Sequence, residues 1–508
     1  MKAFLMHRSE DFDLELELPP NEEALTQDLE LNTLFNAMAL GDKFLFDVAK
    51  RAVLSSLTDP EAILYRQHVL ADCLEQPSLV REIYGIVVGA IQAEKKIWGS
   101  FMSPDGVLHT SVQVQELFVG ILKRLRTIAD EHGGEFRSEG FVRLFAMLAK
   151  ELDDEYFQTI EDHLKELKFR RGVLISAQLG KGNKGIRYVL RTLPREQSWL
   201  ERISRRSRSG YSFQIPDRDE SGFAALSELR GRGINLVANA LAQSSDHILS
   251  LFTMLRAELA FYVGCLNLHS RLAEKGEPTR FPVPLAPGQA ALSARGLYDV
   301  CLTLNLEERV VGNDVSAEDK SLVMITGANQ GGKSTFLRSV GLAQLMMQGG
   351  MFVAADSFSA NVCNGVFTHY KREEDATMKS GKLDEELSRM SDIADKITAD
   401  CLLLCNESFA ATNEREGSEI ARQVVRALTE AGVKVLFVTH LFDLAHGFYC
   451  QEFDTALFLR AERQPDGQRT FRLVEGEPLP TSYGEDSYRR IFAAAPDAAP
   501  AAVADMRS

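Results

Sequence analysis

The stretch SLVMITGANQGGKSTFLRSVGLAQLMM, residues 321–347, constrains the fold more than any other part of the chain. An apolar run gives way to a Gly-rich loop, and the loop leads directly into a segment with helical periodicity. The loop fits the pattern GxxxxGK[ST], with Gly327, Gly332, Lys333 and Ser334 at its fixed positions. Glycines there let backbone N–H groups turn inward around phosphate oxygens, and the helix that follows adds the positive end of its dipole. The expected nucleotide contacts are Gly327, Ala328, Asn329, Gln330, Gly331, Gly332, Lys333, Ser334 and Thr335. Lys333 reaches the β and γ phosphates in such a loop, and the Ser334 hydroxyl ligates Mg²⁺. ATP and Mg²⁺ are the expected cofactors.

Two further apolar runs fall where a P-loop sheet needs them. CLLLC ends at Asn406 and Glu407, and KVLFV ends at Thr439 and His440. Residues just past the C-terminal ends of parallel strands line the ligand crevice. The first position after CLLLC would ordinarily be an Asp that holds a water on Mg²⁺. Asn406 keeps an oxygen at the same reach without the charge, which lowers metal affinity. The metal set read from the sequence is Ser334, Asn406 and Glu407, and the catalytic set is Glu407, His440 and Lys333. Glu407 suits the positioning of an attacking water, and His440 the sensing of the γ-phosphate. Two outcomes stay open: slow hydrolysis, or nucleotide binding without turnover.

Upstream, residues 22–168 carry apolar positions at three- and four-residue spacing, the mark of amphipathic helices. The period then changes, and GVLISAQLGKGNKGIRYVLR reads as a β-hairpin over about 172–191 with a basic turn. Helical periodicity returns over 223–275 in a run long enough for a rod-like helix or a helical pair. Past the Pro-rich PTRFPVPLAPG, apolar runs alternate with amphipathic helices, which implies a parallel-rich α/β sheet. The expected division is a mostly helical domain over 1–275, a P-loop ATPase domain of ABC-like class over 276–492, and a disordered Ala/Pro-rich tail over 493–508. Seven scattered cysteines without a CxxC pair suggest neither zinc nor a disulfide framework. With no secretory leader pattern, the expectation is a cytoplasmic, DNA-associated protein away from membranes.

Net charge is −15, which argues against a protein that coats nucleic acid over its whole surface. Residues 165–208 depart from that average, with thirteen Lys or Arg against three Glu. The segment reads either as a solvated face or as a phosphate-contacting patch. Its DNA-contact candidates are Lys181, Lys184, Arg187, Arg205, Arg206 and Arg208.

TGANQGGKSTFLRS, the NES…EGSEIA segment, VTHLFDLA and the SYG at 482–484 together resemble the ATPase domain of the MutS family. That family's pattern is a GPNMGGKST loop, a DE pair before a Gly/Thr-rich loop, then ATH and SYG. RQHVLADCLEQPSLVREI, beginning at Arg66, is similar to the family's helical lever, so the resemblance implies a lever/core domain over 1–275 and extends over roughly 30–492. It implies a homodimer with two composite nucleotide sites, each completed by the partner's Ser-x-Phe-x-x-Glu segment. The corresponding stretch here is Gly381, Leu383 and Glu386, with Ser380 one residue early. An aromatic residue before the P-loop stacks on adenine in the family, and Val310 stands there instead. Thr412 and Gly417 match the loop after the acidic pair. The stretch ahead of the lever is short for the mismatch-reading and connector domains, so the expected target is a DNA structure rather than a mismatch. The alternative is a nucleotide-gated scaffold whose arms grip a protein partner.

Overall fold

The computed structural model describes residues 2–97, 103–192, 214–288, 290–372, 381–451 and 453–480. Ser380, Arg205, Arg206, Arg208, the 482–484 motif and the 493–508 tail lie outside them. Two compact units divide the chain: Met1–Phe12 with Gln76–Leu259, and Asp13–Glu75 with Ala260–Ser508. Packing thus interleaves the sequence, because 13–75 and 260–275 pack with the α/β residues.

The first unit is built on helices Pro77–Ile97, Pro104–His132, Glu139–Glu151 and Asp154–Leu167, together with most of a single helix Glu220–Glu274. Side-chain oxygens of Ser103, Ser138 and Asp153 accept backbone N–H bonds that cap three of these starts. The core includes an edge-to-face contact of Phe118 with Phe252, at 5.2 Å between ring centres. Buried Glu258 accepts the Leu5 N–H at 2.6 Å and so ties the N-terminal segment to the long helix. That 55-residue helix has an 18-residue stretch of mean hydropathy 1.5, but 72% of the stretch is buried inside the protein. Its apolar character therefore serves a core. Strands β1 (Leu174–Leu179) and β2 (Gly185–Arg191) pair antiparallel as a hairpin.

The second unit holds two sheets. One has four strands: β3 (Val283–Leu285), β4 (Leu292–Leu297), β5 (Asn313–Ser316) and β7 (Ser357–Asn361), in the order β3-β7-β4-β5. The other adds β6 (Leu322–Gly327), β8 (Val366–Tyr370), β9 (Leu402–Asn406), β10 (Lys434–Val438), β11 (Ala456–Arg463) and β12 (Arg469–Glu475). Its order is β12-β11-β6-β10-β9-β8, and every neighbouring pair is parallel except β11 with β12. The central strands are continuous apolar runs because helices or loops cover both faces. Leu403, Leu404, Val435, Leu436 and Phe437 are fully buried. Of the seven cysteines, all free, only Cys450 is exposed.

Helix Lys333–Gln348 lies against this sheet, and almost all of it is buried. Gly341 is the closest point of approach: a Cβ there would stand 2.6 Å from Leu404 Cδ1 and 2.9 Å from Leu29 Cδ2. Arg338, one turn earlier, pairs with Asp299 and Glu30. The helix is thus clamped between strand β9 and residues of the 13–75 segment. Gly341→Leu should overpack this layer and lower stability by about 2 kcal/mol in a urea melt, even though a glycine is removed from a helix. A variant as stable as the parent would show that the helix is free to move off the sheet.

Candidate functional site

Strand β6 ends at Gly327, and the chain turns through 328–332 into the helix that begins at Lys333. Gly327 has φ +105°, and a Cβ there would lie 2.8 Å from the Ala461 nitrogen of β11. Only glycine meets both demands. Gln330 and Gly332 also take positive φ, at +58° and +88°, so the loop curls tightly over the helix N-terminus. Lys333 is 5% exposed, and its Nζ donates to Gly327 O at 3.1 Å and Ala328 O at 3.0 Å. Burial lowers its pKa to about 8; nearby Glu407 raises it and Arg469 lowers it. A polyanion at the loop would restore the favoured charge of this lysine. Arg469 Nε donates to Asn329 O at 3.1 Å, which braces the loop from β12.

The parallel register brings the other strand ends to the same level. Val438 pairs with Asn406 on one side and Ile325 on the other. Ser334 Oγ donates to Asn406 Oδ1 at 2.9 Å, so two expected metal-side groups meet across 72 residues of sequence. Both are neutral oxygen donors beside a phosphate loop. That donor set fits Mg²⁺, which takes few protein ligands and completes its shell with waters and phosphate oxygens. Glu407 has a left-handed backbone, φ +54°, held by its N–H to Val438 O at 2.9 Å. Its Oε1 lies 3.1 Å from His440 Nε2. The hydrogen bond from His440 is the main cause of a lowered Glu407 pKa, assisted by the charges of Lys371 and Lys333. Glu407 is therefore a carboxylate, an acceptor only, and its partner nitrogen on His440 carries the proton. Thr326, Gly327, Glu414, Thr439, His440 and Phe442 line part of an adjacent cavity of about 310 Å³.

The loop after Glu407 is built from within. Phe409 is fully buried, at φ +63°, and stacks on His369 with ring centres 5.5 Å apart. His369 Nδ1 lies 2.7 Å from Ser408 Oγ, and its Nε2 lies 3.0 Å from Glu386 O. A carbonyl can only accept, so Nε2 carries the proton. Burial lowers the His369 pKa to about 4 and keeps the ring neutral. At Gly417 a Cβ would overlap the carbonyl oxygen of Phe409, which explains the glycine at that point of helix Glu414–Glu430. Asn413 caps the same helix through Glu416 N at 3.0 Å, while Thr412 donates to the Glu416 carboxylate.

Gly381 precedes helix Lys382–Ala394. Glu386, the candidate for a partner subunit's pocket, is 3% exposed. Burial raises its pKa, while Arg389, Lys371 and the backbone amides of Phe409 and Ala411 lower it. Within one chain this carboxyl group faces inward, against the 409–411 loop. Lys181, Lys184 and Arg187 lie on the hairpin, which belongs to the other unit.

Two residues near the site carry no motif in the sequence. His369 sits on strand β8, where a lone His carries no local signal. Phe471 on β12 is 48% exposed at φ +59°, and its Cα would lie 3.6 Å from a Cβ on Gly332. Asn313 pins it, donating to Phe471 O at 3.1 Å and accepting from Leu473 N at 2.7 Å. An exposed aromatic side chain therefore stands beside the phosphate loop, where Val310 offers none.

Two family models match the chain: the MutS2 N-terminal domain over residues 58–275 and MutS domain V over 323–497. The second match contains the loop, Asn406, Glu407 and His440 together. The chain belongs to the MutS family. Curated members similar to it include MutS protein homolog 4 of Mus musculus, 26% identical over 242 residues, which is 47% of this chain and 25% of that protein. Endonuclease MutS2 of Lacticaseibacillus casei (strain BL23) is 30% identical over 245 residues, 47% of this chain and 30% of that protein. DNA mismatch repair protein MutS of Chloroflexus aurantiacus (strain ATCC 29366 / DSM 635 / J-10-fl) is 28% identical over 224 residues, 43% and 23% respectively. These matches span less than a third of the relatives' own length. Domain V of the family is a P-loop ATPase domain, in keeping with the parallel-rich sheet.

If the Phe409 carbonyl sets the position of Glu407, Gly417→Ala should shift that loop. ATP turnover should fall about tenfold or more, since small displacements of catalytic groups are costly. ATP affinity, measured by equilibrium dialysis, should stay within about threefold. Unchanged turnover would show that the loop does not position Glu407.

Proposed function

We propose that this chain binds ATP with Mg²⁺ at residues 327–335 and hydrolyses it slowly, as a homodimeric DNA-binding member of its family. It would recognise a DNA structure rather than a mismatch, and couple nucleotide state to the opening and closing of its lever arms. The observation that carries the reading is the convergence of Lys333, the Ser334–Asn406 pair and the Glu407–His440 pair at three adjacent strand ends.

Each residue has a role that follows from its chemistry. Lys333 binds the β and γ phosphates as a desolvated point charge. Ser334 and Asn406 would hold Mg²⁺, which offsets the charge on the phosphate oxygens when bound. Glu407 accepts a proton from the attacking water, whose oxygen bonds to the γ-phosphorus as the bond to the β–γ bridging oxygen breaks. ADP and phosphate result. His440 fixes the orientation of Glu407, and its hydrogen bond holds the Glu407 pKa below the ordinary carboxylate value. Phe471 provides the apolar surface for the base that Val310 does not.

The neutral Asn406 favours a second reading, a nucleotide-gated scaffold that grips a protein partner without turnover. Turnover of purified protein, with and without branched, duplex or single-stranded DNA, separates the two. Glu407→Gln should keep ATP bound and reduce turnover by about 10²- to 10⁴-fold. Lys333→Ala should weaken ATP binding by about 10- to 100-fold. Tight binding retained by Lys333→Ala would remove the loop as the site. No turnover in the parent under any DNA condition would leave the scaffold reading.

A further inference from the structure

The hairpin β1–β2 presents an arrangement that catalysis does not use. Residues 172–192 contain Lys181, Lys184, Arg187 and Arg191 and no Asp or Glu, within a chain of net charge −15. Its base is anchored within its own unit. Ile175 packs where a Cβ on Gly233 would stand, and Tyr188 lies under the Arg232 guanidinium at 5.8 Å. Its tip is tight, with Gly180 N donating to Lys184 O at 2.8 Å and Gly182 at φ +70°. A register shift between Ser176 and Gln178, with Arg187 at φ +53°, marks a bulge that increases the ribbon's twist.

Leu179 closes β1 beside this basic turn and is 79% exposed, more than any other exposed large hydrophobic among the described residues. Ile186, which pairs with neighbouring Gln178, is 45% exposed. A solvated face would not need an exposed apolar side chain at a basic turn. A lipid surface would favour a broad apolar face over one protruding leucine. A twisted two-stranded ribbon, in contrast, has the width of a nucleic-acid groove, and proteins that kink duplexes insert an apolar wedge between base steps while cations hold the flanking phosphates.

We propose that residues 174–191 form a groove-inserting ribbon whose Leu179 side chain wedges into a base step while Lys181 and Lys184 neutralise adjacent phosphates. The ligand class is duplex DNA with stacking already interrupted, such as a branch point or junction, because unstacking costs least there. This deepens the DNA-binding reading and rests on it.

The test uses the full chain with two DNAs: an intact duplex, and a branched molecule with 2-aminopurine at the branch. Affinity is measured over a salt series, and fluorescence reports unstacking. The parent should bind the branched DNA about tenfold more tightly and raise its fluorescence. Leu179→Ala, a change at an exposed side chain, should lose that preference and the fluorescence rise while keeping the salt slope. The double variant Lys181→Ala/Lys184→Ala should reduce the slope by about two and keep the preference ratio. If Leu179→Ala keeps both preference and fluorescence, the wedge is wrong and DNA binding stands. A parent that binds neither DNA overturns the wedge and the DNA reading together. Binding to anionic vesicles but to neither DNA, lost in Leu179→Ala, would reassign the ribbon to lipid.

Discussion

Two parallel pairings, Val438 with Ile325 and Val438 with Asn406, bring the C-terminal ends of β6, β9 and β10 level. Everything at the site depends on that register. Residues adjacent on a parallel sheet lie about 5 Å apart, so three strands that end together deliver the P-loop, Asn406 with Glu407, and His440 within side-chain reach. A slip of one residue on β9 would turn Asn406 away from Ser334 and into the core. The register is held by strands buried on both faces, and by the helix fixed at Gly341 between β9 and Leu29.

The local electrostatics follow from this placement. Lys333 is desolvated and lies near the Glu407 carboxylate, and the hydrogen bond from His440 lowers the pKa of that carboxylate. Asn406 contributes an oxygen without a charge beside Ser334, the side on which a cation is proposed to bind. Burial lowers the pKa of His369 to about 4, so a neutral ring supports Ser408 and Phe409.

Features that depend on local pattern were legible in the sequence. The P-loop, the apolar strands and the residues following them are contiguous motifs whose chemistry can be read residue by residue. The helices of 22–75 also show their periodicity, but periodicity does not say which core they join, and residues 13–75 pack with the α/β unit. Phe471 was hidden because its position depends on Asn313, 158 residues away, and because β12, unlike the other described strands of its sheet, runs antiparallel to its neighbour. The burial of His369 and Glu386 was not legible for a related reason. Alignment to a motif assigns a residue a partner, whereas burial of both within one chain is a property of packing.

In the proposed site, Asn406 is a weakened but working partner for the cation. The direct measurement is the Mg²⁺ concentration that half-saturates ATP turnover in the parent and in Asn406→Asp. A restored negative charge beside the cation should lower that concentration by about tenfold or more, with turnover present in both proteins at saturating Mg²⁺. Identical Mg²⁺ dependence in the two would contradict the placement of Asn406 at the metal, and a parent inactive at every Mg²⁺ level would contradict the claim that it still works.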